Sequence, residues 1–156
     1  TRILHPSLGL LMVVGFVGMF LRLWKDNLIT AADREWGKHM GKMLSGDKAG
    51  LPPVGKYNYA QKLTFWVMAL SLLVLLGTGV MFWRPWFAPY FSVEAMRAAV
   101  LFHSISAVVL ILSTIMHVYA AIWVKGTIRA MTRGTVTESW AKTNHPLWHQ
   151  EVTKGR

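Results

Sequence analysis

The chain has 156 residues, of which 53% are apolar and only 15% are charged, whereas a soluble domain carries roughly 25% charged residues. Its net charge is +10, with 17 Lys and Arg against 7 Asp and Glu. This composition excludes a disordered chain and favours a membrane protein whose basic residues lie outside the bilayer. Because the basic residues are not clustered among polar surface residues, we expect no nucleic-acid partner. The absence of cysteine excludes disulfides, thiolate metal sites and covalent CxxCH haem attachment.

Three apolar stretches are long enough to cross a bilayer as helices, since the hydrocarbon core needs about 20 residues. They cover about residues 3–24, 63–83 and 95–124. We therefore predict an all-α membrane protein, a transmembrane helix bundle that forms one domain over residues 1–156, with membrane lipid as its surroundings.

The basic residues predict the orientation of the spans. Most of them lie in the loop 25–62 and in the tail 125–156, whereas residues 84–97 contain only Arg84 and Arg97. Positive charge marks the cytoplasmic side of a membrane protein. The loop and the tail are therefore predicted to be cytoplasmic, and residues 84–97 to be outside.

This orientation places Thr1 outside, directly at the start of a helix, with no initiator Met, signal or flanking loop. We therefore expect a further transmembrane helix before residue 1, because such a helix would supply the missing topogenic signal. The full subunit would then contain four helices.

The cytoplasmic loop has a helical pattern of its own. Trp36, Met40, Met43 and Leu44 recur at the spacing of one helix face. This pattern predicts one short helix lying on the cytoplasmic membrane surface.

The six histidines fall into two groups. Three lie in polar segments and are expected to be ordinary surface residues: His39, His145 and His149. The other three lie within the apolar spans, where an ionisable side chain indicates a functional site: His5, His103 and His117.

The spacing of the membrane histidines suggests two cofactors. His103 and His117 are fourteen residues apart, which is close to four helical turns and about 21 Å along one face. His5 begins a span of the same direction, so we expect it at the depth of His103. Two imidazoles from different helices can be the axial ligands of one haem. Interhelical hydrogen bonding is the alternative, while zinc is disfavoured because no carboxylate or thiolate lies nearby in the spans.

Several segments carry a family resemblance. They are RILHP at 2–6, GKYN at 55–58 with QK at 61–62 and FW at 65–66, WRP at 83–85, WVKG at 123–126, and WAK at 140–142 followed by HP at 145–146 and Trp148. In these segments, and from end to end, the chain resembles the cytochrome b556 (gamma) subunit of membrane-bound respiratory formate dehydrogenase.

The resemblance implies a four-helix cytochrome b with two haem b groups in the bacterial inner membrane. Its partners would be an iron–sulfur beta subunit and an alpha subunit with a molybdenum or tungsten pterin, assembled into a higher oligomer. The chain itself would be an electron-transfer subunit rather than an enzyme, with no catalytic residues. Electrons from formate would enter at the outer haem and reduce menaquinone or ubiquinone near the inner one.

The resemblance also implies roles for particular residues. The outer haem would be held by His5 and His103, and the inner haem by His117 with a histidine from the first helix of the family. The quinone would bind at the cytoplasmic entry to the second span, at Tyr57, Asn58 and Gln61. N-capping of a helix is the alternative role for Asn58, since Asn favours that position. The family often has Gly where this chain has Ala60.

Two other functions remain open at this point. A related cytochrome b could serve a nickel–iron hydrogenase or another periplasmic oxidoreductase. A haem-free membrane anchor is the alternative from another class, and an absorption spectrum distinguishes it.

Overall fold

The computed structural model describes residues 3–45, 51–84 and 86–154. Within these ranges the chain forms eight α-helices and no strand. Three are long: α1 (Leu4–Leu23), α4 (Tyr59–Met81) and α5 (Val93–Trp123). Five are short: α2 (Ala31–Lys38), α3 (Met40–Leu44), α6 (Thr127–Arg133), α7 (Glu138–Asn144) and α8 (Pro146–Lys154). Two 3-10 turns complete the order, at Lys25–Asn27 and Ala88–Tyr90.

The three long helices confirm the predicted class, an all-α membrane protein with three spans in this chain. Their most apolar windows have mean hydropathies of 1.9, 2.1 and 2.2. Helix α1 has no buried residue, and Leu11 and Ile111 are 70% and 58% exposed. Exposed apolar side chains are favourable when lipid hydrocarbon surrounds them. The helical backbone meets the second requirement of a membrane span, because it satisfies its own polar groups internally.

Two of these helices begin earlier than the apolar pattern predicts. Helix α4 starts at Tyr59 rather than at residue 63, because Asn58 and Gln61 cap its first turn. Helix α5 starts at Val93 rather than at residue 95, and the Ser92 hydroxyl accepts a hydrogen bond from the Ala95 backbone N–H at 3.2 Å.

The chain divides into two compact units. The first unit comprises Thr1–Trp24 and Trp66–Met116, and the second comprises Lys25–Phe65 and His117–Arg156. Helices α4 and α5 contribute residues to both.

A buried ion pair joins α2 to α4 in the second unit. The Lys62 ammonium donates to Asp33 Oδ2 at 2.7 Å and to the Leu28 carbonyl at 3.1 Å, and both charged side chains are about one-tenth exposed. Asp33 Oδ2 also accepts from the Thr30 N–H and hydroxyl in a capping box at the start of α2. Burial raises the pKa of Asp33, but the hydrogen bonds from Lys62 and Thr30 outweigh it and hold the pKa below its ordinary value.

The predicted surface helix of the loop is in fact two helices, so the single-helix prediction is wrong. His39 ends α2, with its backbone N–H bonded to the Trp36 carbonyl and its ring Nδ1 3.0 Å from the Glu35 carbonyl. Trp36 is buried inside the second unit, at 5% exposure, instead of facing outward. The side chains of Met43 and Leu44 lie outside the described residues.

His145 is buried, which overturns the prediction that it is a surface histidine. Its Nδ1 lies 2.8 Å from the Gly55 carbonyl, and its ring stacks on Trp140 with centroids 5.0 Å apart. The Leu147 N–H also donates to the Val54 carbonyl at 3.1 Å. Burial lowers the pKa of His145, and the bond to Gly55 only partly offsets this. The ring is therefore neutral at pH 7, and the tail is bonded to the segment that precedes α4.

Trp140 makes a second close contact that requires a glycine. Its Nε1 donates to the Lys125 carbonyl at 2.9 Å. Gly126 has a positive φ of 92°, and a Cβ there would lie 2.7 Å from Trp140 Cδ1. Both the backbone conformation and the available space exclude a larger residue at Gly126.

The buried ion pair gives a stability prediction. Asp33→Asn should reduce the free energy of unfolding by about 3–5 kcal/mol, because Lys62 would keep a buried charge without its partner. Thermal or denaturant unfolding in detergent measures this. Glu35→Gln is the matched control, since it breaks the exposed pair with Lys38 and should have a much smaller effect.

The same comparison has a pH dependence. The pKa of Asp33 is lower in the folded protein than in the unfolded chain. The ionised carboxylate therefore contributes its full stabilisation of the folded state at any pH above the unfolded-state pKa, and this contribution is lost as the pH falls through the folded-state pKa. The difference between wild type and Asp33→Asn should therefore persist from pH 8 to about 5 and shrink below about pH 4. Equal losses in the Asp33 and Glu35 variants would contradict the assignment.

Candidate functional site

The first unit brings two membrane histidines together. His5 lies in the first turn of α1 and His103 lies in α5, and their ring centroids are 6.2 Å apart. A metal–imidazole bond is about 2.0 Å long and the centroid lies about 1 Å further away, so two imidazoles on opposite sides of one metal ion have centroids about 6 Å apart. The separation of the two rings therefore fits one metal ion between them.

A hydrogen bond joins Thr78 of α4 to His103. Thr78 Oγ1 lies 2.6 Å from the Val74 carbonyl and 2.8 Å from His103 Nδ1. When the hydroxyl donates to the Val74 carbonyl, it accepts from Nδ1–H, and Nε2 keeps the lone pair that a metal ligand needs. A bond of this kind orients a ligating imidazole and increases its basicity.

Gly79 of α4 and Phe82, the residue after α4, also lie near His103. The Phe82 ring contacts it edge-on with centroids 5.5 Å apart, and a Cβ on Gly79 would lie 3.5 Å from its Cε1. On α1, the Cβ position of Gly9, one turn after His5, has no described atom within 4 Å. The side of α1 that carries Gly9 is thus uncovered in this chain.

The ligand set favours haem over a bare metal ion. In the ranges 3–45, 51–84 and 86–154 no group of three or more His, Cys, Asp or Glu residues comes together. Zinc takes three or four protein ligands, whereas a macrocycle leaves only two axial positions for the protein. His5 and His103 fit those two positions.

His117 lies in the second unit. Helix α5 is unbroken from Val93 to Trp123, so the whole segment from His103 to His117 is helical, as the spacing argument requires. The His117 side chain is exposed.

Asn58 and Gln61 form a reciprocal capping box at the start of α4. The Asn58 side-chain oxygen accepts from the Gln61 N–H, and the Gln61 oxygen accepts from the Asn58 N–H, both at 2.9 Å. The N-capping interpretation of Asn58 is therefore confirmed. Because backbone N–H groups need oxygen acceptors, the orientation of both amides is fixed, and neither NH2 group is used in the box. Tyr57, immediately before, is half-buried, with the Lys56 ammonium 5.8 Å from its ring centroid.

Sequence reasoning missed the polar partners of these residues. The hydroxyl of Thr78 within an apolar span was a signal, since such a group must bond to the helix or to a neighbouring side chain. Its pairing with His103 needed the register between two helices. The Lys62–Asp33 pair joins residues 29 positions apart, so no local pattern indicated it.

Comparison with known proteins agrees with this geometry. The family model of prokaryotic cytochrome b561 matches residues 1–134. The cytochrome b556(fdo) subunit of Escherichia coli formate dehydrogenase is 47% identical over 98% of this chain and 72% of its own length. The corresponding subunit of Haemophilus influenzae is 41% identical over 96% of this chain and 63% of its own length. The nitrate-inducible b556(Fdn) subunit of Escherichia coli is 40% identical over 98% and 70%. These relatives favour neither a hydrogenase subunit nor a haem-free anchor.

The Thr78 bond gives a prediction about cofactor binding. Thr78→Val keeps the side-chain volume but removes the acceptor of the His103 proton. We expect the haem affinity at this pair to fall by about 10–100-fold, the typical effect of losing such a partner. Thr78→Ser keeps the hydroxyl and should behave as wild type. Haem content and a redox titration of the purified protein provide the measurement, and a Thr78→Val protein indistinguishable from Thr78→Ser would show that the bond has no role in ligation.

Proposed function

Because the chain belongs to the prokaryotic cytochrome b561 family, we propose that it is the membrane subunit that transfers electrons from formate dehydrogenase to quinone. The family binds haem b, and the pair His5–His103, with rings 6.2 Å apart, is the observation that carries the proposal. When bound, haem b supplies a reversible one-electron couple.

In this function, His5 and His103 would hold the outer haem. The bond between Thr78 and His103 Nδ1 would orient the imidazole so that Nε2 faces the iron. Phe82 contacts the same ring and keeps water from it. His117 is assigned as an axial ligand of a second, inner haem.

The quinone is proposed to bind at the first turn of α4. Asn58 and Gln61 use their oxygens in the capping box, which leaves two NH2 groups to donate to a quinone carbonyl oxygen. Capping and quinone binding are therefore compatible roles for the same amides. Tyr57 adds a phenolic hydroxyl beside them. We expect menaquinone or ubiquinone as the substrate.

The relatives are named as formate dehydrogenase subunits, which supports a complex for this chain as well. We propose an iron–sulfur subunit as the electron donor and a molybdenum- or tungsten-pterin subunit as the site of formate oxidation, in a higher oligomer. We place the complex in the bacterial inner membrane, with the loop 25–62 and the tail 125–156 in the cytoplasm. The positive charge of these two segments supports this orientation.

Two Asn58 variants separate the capping role from quinone binding. Asn58→Asp keeps an oxygen that accepts the Gln61 N–H but removes the NH2 donor, whereas Asn58→Leu removes both. Both should retain haem and slow its reoxidation by quinone, about tenfold if a hydrogen bond of about 1.4 kcal/mol is lost. Only Asn58→Leu should also lose about 1 kcal/mol of stability. Stopped-flow reoxidation measures the rate, and a wild-type rate in Asn58→Asp would leave Asn58 as a cap alone.

The two α5 histidines should be separable in the assembled complex. His103→Ala should lose the outer haem and formate-driven haem reduction. His117→Ala should lose the inner haem, keep reduction of the remaining haem by formate, and fail to reduce quinone. His149→Ala, outside the long helices, should keep both haems. Haem content and absorbance after formate addition provide the measurement.

The opposite pattern in the two variants would invert the proposed entry and exit sides. Unchanged haem content in both would reject haem ligation, and interhelical hydrogen bonding would then explain the two histidines.

A further inference from the structure

Trp36 in α2 holds a buried hydrogen-bond donor without a partner. Its side chain is 5% exposed, and within the described part of the chain its Nε1 is the one buried side-chain nitrogen or oxygen that bonds to nothing. Buried donors in folded proteins are nearly always paired, since an unpaired one loses its bonds to water. The indole N–H therefore has no acceptor among the described residues and is available to a bound ligand.

The position of Trp36 is defined by its neighbours in α2. Asp33, about one turn earlier on the same side of the helix, bonds to Lys62 of α4 at 2.7 Å. Gly37, the next residue, faces Tyr59, and a Cβ there would lie 3.0 Å from the Tyr59 ring. Residues before and after Trp36 in α2 therefore contact the first turn of α4.

That turn is the one assigned to the quinone. Asn58 is the residue before α4 and lies four positions before Lys62, so both fall on the same side of the helix. Trp36 is thus a buried residue of α2 whose neighbours Asp33 and Gly37 contact the first turn of α4, the turn that Asn58 and Gln61 cap.

We propose that the Trp36 Nε1–H donates a hydrogen bond to a carbonyl oxygen of the bound quinone, an inference that rests on the proposed function. A quinone has two carbonyl oxygens on opposite sides of its ring. The amide donors of Asn58 and Gln61 serve one of them, and Trp36 serves the other. The donor is neutral, which suits a neutral carbonyl, and the flat indole also offers apolar surface to the quinone ring.

Trp36→Phe tests this in the complete complex, because it keeps an aromatic ring and removes the N–H. With formate as the electron donor and a short-chain quinone analogue, the KM for quinone should rise between about three- and tenfold. The increase in the thermal midpoint on adding oxidised quinone should shrink in parallel. Without quinone, the midpoint should be unchanged or higher, since no bond is lost.

Trp140→Phe is the matched control, because the Trp140 N–H already donates to the Lys125 carbonyl. It should lower the midpoint without quinone and leave the KM for quinone unchanged. Asn58→Asp in the same preparation distinguishes this inference from the proposed function.

An unchanged KM in Trp36→Phe beside a raised KM in Asn58→Asp would reject the role of Trp36 and leave the quinone site standing. An unchanged KM in both would reject the quinone site at this turn as well. A lower thermal midpoint of Trp36→Phe without quinone would show that the indole N–H is already bonded to water. A shifted haem potential with unchanged quinone binding would show that the indole N–H donates to a haem carboxylate. Either result would overturn the proposal.

Discussion

Lys62 carries a charge in the first turn of an apolar helix, and the Asp33 carboxylate is what makes that charge tolerable. Burying two charges costs free energy that their attraction recovers only when further hydrogen bonds satisfy both groups. Here the Leu28 carbonyl and the Thr30 capping box supply those bonds. The pair thus stabilises one particular contact between α2 and α4. Asp33 lies three residues before the buried Trp36, and Lys62 lies in the turn that starts α4.

The first unit follows the same rule with neutral groups. A polar side chain in an apolar helix must find its partner in the protein, and His103 finds Thr78, whose own proton goes back to its helix. When the Thr78 hydroxyl donates to the Val74 carbonyl, the lone pair of His103 is on Nε2. The hydrogen bonding that makes the histidine acceptable in an apolar helix is then compatible with the proposed metal ligation.

Features that depend on local sequence patterns could be predicted. Hydropathy located the three long helices, and helical spacing put His103 and His117 on one continuous helix. Prediction from the sequence failed for residues whose surroundings are decided by long-range contacts. His145 has polar neighbours in sequence and becomes buried only through Gly55, 90 positions away. Trp36 was predicted to face the membrane surface, but a period of 3.6 identifies an apolar face without saying what covers it. Likewise, α2 ends at His39, whose ring bonds to the Glu35 carbonyl, and the apolar periodicity gave no sign that the helix would end there.

The start of α4 shows how one set of side chains can have both a structural and a chemical role. A helix N-terminus needs acceptors, and Asn58 and Gln61 supply their two oxygens. An amide that gives up its oxygen in this way necessarily directs its nitrogen elsewhere. Had Ser or Asp stood at both positions, the helix would be capped equally well, but no nitrogen donors would remain. Capping alone is compatible with both amides, since Asn is a preferred N-cap residue and Gln is a preferred residue three positions later, and their unused nitrogens are the feature on which the proposed quinone site rests.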